Sequence, residues 1–154
     1  MENTRRQTIT PSLTVKNTDQ AIAFYTKVFG ARVDGRPMRG PTGAVIHAEL
    51  IFGDMKVFLN DEFPEMGSHS PQHFGGTSVS LMLVVPEVDR TYEEALANGS
   101  GSKMPPADMF WGDRYACITD PFGHIWGLCK QIEQLTPEQI EERAKELFKQ
   151  PTHS

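Results

Sequence analysis

Apolar and polar positions change period several times along this chain, and each change marks an element. Thr10 to Val15 alternates, with Leu13 and Val15 on one side and Thr10, Ser12 and Thr14 on the other. That is the period of a half-buried strand. From Ala21 the period becomes helical: Ala21, Ile22, Phe24, Tyr25, Val28 and Phe29 share a stripe. Asn17-Thr18-Asp19 supplies N-cap residues, and Gly30 suits the left-handed residue that closes a helix. A Gly- and Pro-rich segment from Arg32 to Gly43 follows. Two strand patterns come next, Ala44 to Phe52 and Met55 to Leu59, joined by a turn at Gly53-Asp54.

Residues 60–77 are rich in Pro, Gly, Ser and His and read as a linker. His69 and His73 are four apart, a metal-pair spacing on a helix, but a segment this interrupted does not favour one. Then the pattern restarts. Ser80 to Val85 reads as a strand, and Val88, Tyr92, Ala95 and Leu96 form a helical stripe ended by Gly99. After a loop come Tyr115 to Thr119 and Ile125 to Cys129, two strands around Asp120-Pro121-Phe122-Gly123, which suits a type I turn.

The two halves resemble each other. Ser12-Leu13-Thr14-Val15 matches Ser80-Leu81-Met82-Leu83, and Phe52-Gly53-Asp54-Met55 matches Phe122-Gly123-His124-Ile125. Such a repeat indicates two copies of one βαβββ module. One copy alone leaves a one-sided sheet with an open edge; two can share a curved sheet and enclose a cleft. The expected fold class is α+β: two βαβββ modules forming a cupped mixed sheet, plus a C-terminal helix. That helix starts at Thr136-Pro137-Glu138-Gln139, with a Thr N-cap, Pro at the first position and Gln to complete a capping box. Its apolar side is Ile140, Ala144, Leu147 and Phe148, set to pack on the body or on a partner subunit. The expected organisation is a tail at 1–9, one domain at 10–131 and a helical extension at 132–154. Within the domain, module one covers about 10–60, the linker 61–77 and module two about 78–131.

Composition narrows the classes. With 154 residues, 38% hydrophobic and 23% charged, this is a soluble globular composition. No apolar run approaches the ~20 residues of a membrane helix, and MENTRRQTIT lacks the apolar core of a secretory signal. The expected location is the cytoplasm. A net charge of −5 argues against a general nucleic-acid binder. Cys117 and Cys129 both fall in strand patterns and read as buried free thiols.

The phrases FYTKVFGA and TDPFGHIWGL, within a duplicated pattern from Thr10 to Lys130, resemble the glyoxalase/bleomycin-resistance/dioxygenase family, the vicinal oxygen chelate superfamily. FWGDRY before DPFGH is similar to its PhnB-type, glyoxalase-like subgroup. The resemblance implies paired modules, a small-molecule ligand and a homodimer, with no nucleic-acid or membrane partner. The family's metal enzymes place ligands on the first and last strand of each module. Those positions fall at Thr10 or its face-mate Ser12, near Val57, at Ser80 and at Gly127. Divalent metals need carboxylate or imidazole ligands, typically three or more. These positions offer weak hydroxyls or nothing. No cofactor is therefore expected. A divalent metal would need another set, such as His47 and Glu49 with a third group.

His47 and Glu49, two apart on a strand, face one side. If Ile46, Ala48 and Leu50 face the helices, that side is the cupped one, which also collects Ser12, Thr14, Ser80 and Met82. An imidazole beside a carboxylate is an acid–base pair when it meets a substrate; otherwise it is a contact between half-exposed strand residues. Trp111 offers a stacking surface and Arg114 an anion clamp; alternatively Arg114 pairs with Asp113 or Asp120 and Trp111 caps the core. Met109 and Phe110 beside Trp111 and Arg114 would let the loop act as an apolar lid, and His124, after the turn glycine, is exposed or caps the hairpin. Two functions follow. In the first, a metal-independent lyase or isomerase acts on a small oxygenated substrate, with His47 and Glu49 catalytic and Ser12, Thr14, Ser80, Met82, Trp111 and Arg114 binding substrate. In the second, a sequestering protein of the bleomycin-resistance type holds a bulky ligand. A metal-dependent lactoylglutathione lyase or dioxygenase ranks below both.

Overall fold

The computed structural model describes residues 5–149. Residues 1–4 of the expected tail and 150–154 of the expected extension lie outside the described residues. The chain divides into two compact units, Met1–Gly76 and Thr77–Ser154.

The first unit runs β1 (Ser12–Val15), α1 (Thr18–Phe29), β2 (Arg32–Arg39), β3 (Val45–Phe52) and β4 (Met55–Asp61). Its sheet has the order β1-β4-β3-β2, with β1 parallel to β4 and the other pairs antiparallel. The second unit repeats this with β5 (Ser80–Val84), α2 (Val88–Ala97), β6 (Gly101–Asp108), β7 (Asp113–Thr119) and β8 (Ile125–Gln131), in the order β5-β8-β7-β6. α3 (Pro137–Lys149) follows. The fold is α+β, with two βαβββ modules and a C-terminal helix.

In each unit the helix covers one face of the sheet. Ala21, Phe24, Tyr25 and Val28 of α1 are buried, as are Leu13, Val15, Ala48, Leu50, Val57 and Leu59 of the strands. Asn17 Oδ1 accepts from Gln20 N at 3.0 Å, and Gly30 ends the helix at φ +71°. Asp61 ties the module together: its carboxylate accepts from Thr18 N at 2.8 Å and Val45 N at 2.7 Å. One side chain thus satisfies a helix-start donor and a strand-start donor. In the second unit Ala116, Ile118, Trp126 and Leu128 are buried strand residues on the helix side, and Val88 and Ala95 are buried residues of α2.

Three features differ from the pattern reading. The segment 32–43 and the loop after Gly99 contain the edge strands β2 and β6. Pro37, Pro105 and Pro106 hid them, since Pro suppresses a strand signal but is tolerated on an edge; the registers break at those places, between Asp34 and Met38 and between Met104 and Ala107. Second, Ile46 does not continue the buried row of Ala48 and Leu50. Met38 pairs with His47 and Arg39 with Val45, so Ile46 is an extra residue in a bulge and is exposed. Third, the hairpins have different lengths. Phe52 pairs with Met55, whereas Thr119 pairs with Ile125. The difference of three residues is odd, so aligning the two turns by sequence flips the faces of the strands that follow. Val57 therefore lies on the helix side, while Phe58 and Asn60 pair with Ser12 and Thr14 on the opposite side.

α3 begins with the expected capping box. Thr136 N donates to Gln139 Oε1 at 2.9 Å, and Gln139 N donates to Thr136 Oγ1 at 3.2 Å. Arg143 forms a bidentate pair with Glu133 at 3.0 and 2.8 Å, which holds the Glu133 carboxyl below its ordinary range. The segment before α3 is laid against Gly112, whose carbonyl accepts from Ile132 N and Glu133 N. A Cβ at residue 112 would stand 2.8 Å from the Glu133 carbonyl oxygen, and its φ is +101°. Gly is required there on both counts.

Candidate functional site

The face of the first sheet away from α1 carries a connected polar cluster. His47 Nε2 lies 3.2 Å from Glu49 Oε1. Lys56 Nζ lies 2.8 Å from Glu49 Oε2 and 2.8 Å from Asp34 Oδ2. Strand register causes this: Asp34, Glu49 and Phe58 are successive cross-strand partners, so their side chains rise from one face. The Lys56 ammonium, and then the His47 contact, hold the Glu49 carboxyl below its ordinary range, while the two carboxylates raise the Lys56 ammonium. Glu49 is therefore an anion at neutral pH. A neutral imidazole that donates its Nε2–H to it keeps a lone pair on Nδ1. Phe58 meets the His47 ring edge-on at 4.7 Å and fixes its plane.

Beside this cluster, Asn60 Nδ2 donates to Thr14 Oγ1 and to Ser68 Oγ, each at 3.2 Å, and Thr14 and Ser68 are hydrogen-bonded at 3.1 Å. Ser68 also lines a cavity of about 340 Å³ with Ile46, Phe63 and Met66. The segment that shapes it is pinned. Phe63 and Ser68 exchange backbone hydrogen bonds of 2.9 and 3.1 Å around a 3₁₀ turn, Pro64–Met66. Below it, fully buried Ser70 donates to Glu62 at 2.9 Å. His69 and His73 stack face to face with centroids 3.7 Å apart, an arrangement that does not aim two ring nitrogens at one ion.

The corresponding face of the second unit is built differently. Met82 and Tyr115 close over Gly127: a Cβ there would overlap Met82 Sδ and stand 2.9 Å from Tyr115 Cε2. Burial, reinforced by a hydrogen bond with Cys117, pushes the Tyr115 phenol up to about 12. Cys117 and Cys129 are free and buried, and burial raises the Cys129 thiol. Ser80 is exposed on this same face, paired with Ile125.

The sequence candidates thus separate. His47 and Glu49 join one cluster and Thr14 belongs to the hydrogen-bonded set beside it; Ser12 shares their face, beside Phe58. Met82 covers Gly127. Arg114 lies on the helix side. It grips Asp89 in the first turn of α2 at 3.0 and 2.7 Å and Asp108 at 3.0 Å, so its guanidinium is engaged by two carboxylates. Arg39 grips Asp19 of α1 in the same way, at 3.0 and 2.7 Å. Both pairs are strand-to-helix ties. Trp111 donates to Asp113 at 3.0 Å and meets Tyr115 edge-on, in the loop that receives the C-terminal segment. Sequence reasoning missed Asn60, Ser68, Lys56 and Phe58. Lys56 and Phe58 were legible by alternation from His47 and Glu49; Ser68 lay in a segment read as a linker.

The family's metal positions do not fit a metal here. By register the counterpart of Gly127 is Asn60 rather than Val57, and it supplies a neutral amide; Gly127 is roofed by Met82 and Tyr115, and Ser12 and Ser80 supply only hydroxyls. Among the described residues no group of three or more His, Cys, Asp or Glu side chains is placed to hold an ion.

Residues 7–128 match the Glyoxalase/Bleomycin resistance protein/Dioxygenase superfamily, and the chain belongs to it. Within that class, an uncharacterized protein of Mycobacterium bovis is 38% identical over 136 residues, covering 86% of this chain and 89% of its own. Among solved structures, TioX of Micromonospora sp. ML1 is similar at 26% identity and a TM-score of 0.60, over 82% of this chain and 99% of its own. The fosfomycin resistance protein FosX of Listeria monocytogenes shares the fold at 18% identity and a TM-score of 0.62, over 90% and 97%. The PhnB protein of Bacillus cereus does so at 20% and 0.61, over 79% and 98%.

Proposed function

We propose that this chain is a PhnB-type member of its superfamily and acts, without a resident metal, as a lyase or isomerase that moves a proton on a small oxygenated substrate. The reading rests on the His47–Glu49 contact of 3.2 Å, held from the other side by Lys56 at 2.8 Å. Glu49 orients the imidazole and balances its charge when it is protonated; His47 Nδ1 takes the proton. Thr14 and Asn60 hold substrate oxygen, with Ser12 beside them. The protein works as a cytoplasmic homodimer.

The test is proton exchange. A panel of α-hydroxy ketones is incubated with the protein in D₂O and loss of the C–H signal is followed by ¹H NMR. His47→Gln is expected to slow exchange by about 10²–10⁴-fold, the contribution of a positioned acid–base group. Glu49→Gln should slow it less, since it removes only the orienting anion. Exchange unaltered in His47→Gln would overturn the proposal. A second reading, sequestration, is favoured by the apolar walls Ile46, Phe63 and Met66 of the adjoining cavity. It gains if ligands bind stoichiometrically and no member of the panel exchanges.

A further inference from the structure

We infer that the cavity walled by Ile46, Phe63, Met66 and Ser68 selects a neutral amphiphile: a molecule with a flat apolar body and a hydroxyl or amide head that meets Ser68 and Asn60. This deepens the proposed function by naming the ligand class, and it rests on the reading that this face of the first module is the working one.

The volume of about 340 Å³ falls within the range of small-molecule pockets. Three of its four walls are apolar, and one of them, Ile46, is available only because the bulge in β3 turns it out of the core. Met66 is 81% exposed and unbranched, so it can adapt to the shape of an apolar body. The backbone of this wall cannot drift, because Phe63 and Ser68 are locked by two hydrogen bonds.

The polar end sets the head group. Asn60 uses its amide nitrogen for its hydrogen bonds to Thr14, Ser68 and the Asp61 carbonyl. That leaves the Oδ1 acceptor for a ligand donor. Ser68 contributes a hydroxyl at the cavity wall. An acceptor next to a hydroxyl complements a group that both donates and accepts, which a hydroxyl or primary amide does and a carboxylate does not. The charges agree. Lys56, the cation of the neighbouring cluster, is held by Asp34 and Glu49. An anionic head would meet Asn60 Oδ1 with no cation among the lining residues Ile46, Phe63, Met66 and Ser68, which is costly in a partly dry site.

The experiment is a fluorescence titration of the intact chain at pH 7 with three probes of one shape: 2-naphthol, 2-naphthoate and naphthalene. 2-Naphthol should bind about tenfold or more tighter than 2-naphthoate, and several-fold tighter than naphthalene, the size of one or two hydrogen bonds. Ser68→Ala and Asn60→Ala should each weaken 2-naphthol by about five- to tenfold and leave naphthalene unaffected. Met66→Ala, at an exposed position that tolerates truncation, should weaken 2-naphthol and naphthalene alike. Equal or tighter binding of 2-naphthoate overturns the head-group assignment, as does equal binding of naphthalene. Unaltered 2-naphthol affinity in Met66→Ala overturns the pocket. A protein that binds 2-naphthol selectively yet exchanges no protons keeps this inference and loses the catalytic one.

Discussion

On the sheet face away from α1, the first module carries His47, Glu49, Lys56, Thr14 and Asn60. The same face of the second carries Met82, Tyr115, Cys117, Gly127 and Cys129. Topology, strand order and pairing sense are the same in both. Each helix is also tied by an arginine at an aspartate in its first turn, Arg39 of β2 on Asp19 in one and Arg114 of β7 on Asp89 in the other. What diverged is the one face that packing under the helix does not dictate. The first module keeps ionisable groups there and partners them. The second lays a thioether and a phenol over a glycine and keeps its two thiols buried. A duplicated module can thus specialise without refolding, because the helix-side residues specify the fold and the other side is left to chemistry.

The turns give the strongest test of this contrast. Asp120 is 3% exposed and accepts from Phe122 N, His124 N and Trp126 Nε1 at 2.8–2.9 Å. Asp120→Ala orphans these donors and should cost about 3–5 kcal/mol in urea unfolding. Asp54→Ala, in the two-residue turn of the first module, should stay within about 0.5 kcal/mol. Comparable losses would break the claim that the second hairpin depends on a buried carboxylate.

Next in size is Gly127→Leu. It forces Met82 and Tyr115 aside and should destabilise by about 1–3 kcal/mol, the range for overpacking. Asn60→Ala on the face of the first module should cost less than about 1 kcal/mol and act on ligand affinity instead. A stable Gly127→Leu protein would show that the roof over residue 127 is loose.

The pH dependence should also divide by module. The Tyr115 phenol is raised to about 12 from an ordinary 10.0. Below pH 10 it is neutral in both folded and unfolded chains; between pH 10 and 12 only the unfolded chain releases its proton. Stability should therefore fall across pH 10–12, and Tyr115→Phe should remove that part of the fall. For Glu49 the sign is reversed. Its pKa is lowered in the folded state, so its contribution is present above the ordinary carboxylate range and disappears as pH falls below it. Stability curves of Glu49→Gln and the parent should converge in acid and separate towards neutrality.

The smallest effect belongs to Arg114→Met. Loss of a solvent-screened strand-to-helix tie should barely move the urea midpoint, with turnover and ligand affinity unchanged. A specific loss of affinity would return Arg114 to the binding site.

Much of this was legible along the chain. α1 was readable from its stripe, its Asn17 cap and Gly30; α3 from Thr136 and Gln139; the duplication from its repeated strand and turn phrases. These are local signals, governed by period, capping and turn chemistry, and nearby residues decide them. His47 and Glu49 were readable as a pair because strand alternation is also local. The edge strands were not, because Pro37, Pro105 and Pro106 erase the pattern where an edge strand tolerates them.

What only the tertiary structure decided are questions of register and of which groups meet across the chain. Arg114 read as an anion clamp until α2 brought Asp89 to it. Val57 read as a ligand position until the ladder put it under α1 and turned Asn60 to the open face. Ser68 read as linker until Phe63 folded it back beside Thr14. By itself the sequence determined the two modules, their helices and the juxtaposition of His47 and Glu49, because those depend on neighbours within a turn or a strand. The polar ring of Thr14, Asn60 and Ser68 and the roof over Gly127 depend on residues 46 and 45 positions apart being brought together, and no local period encodes that.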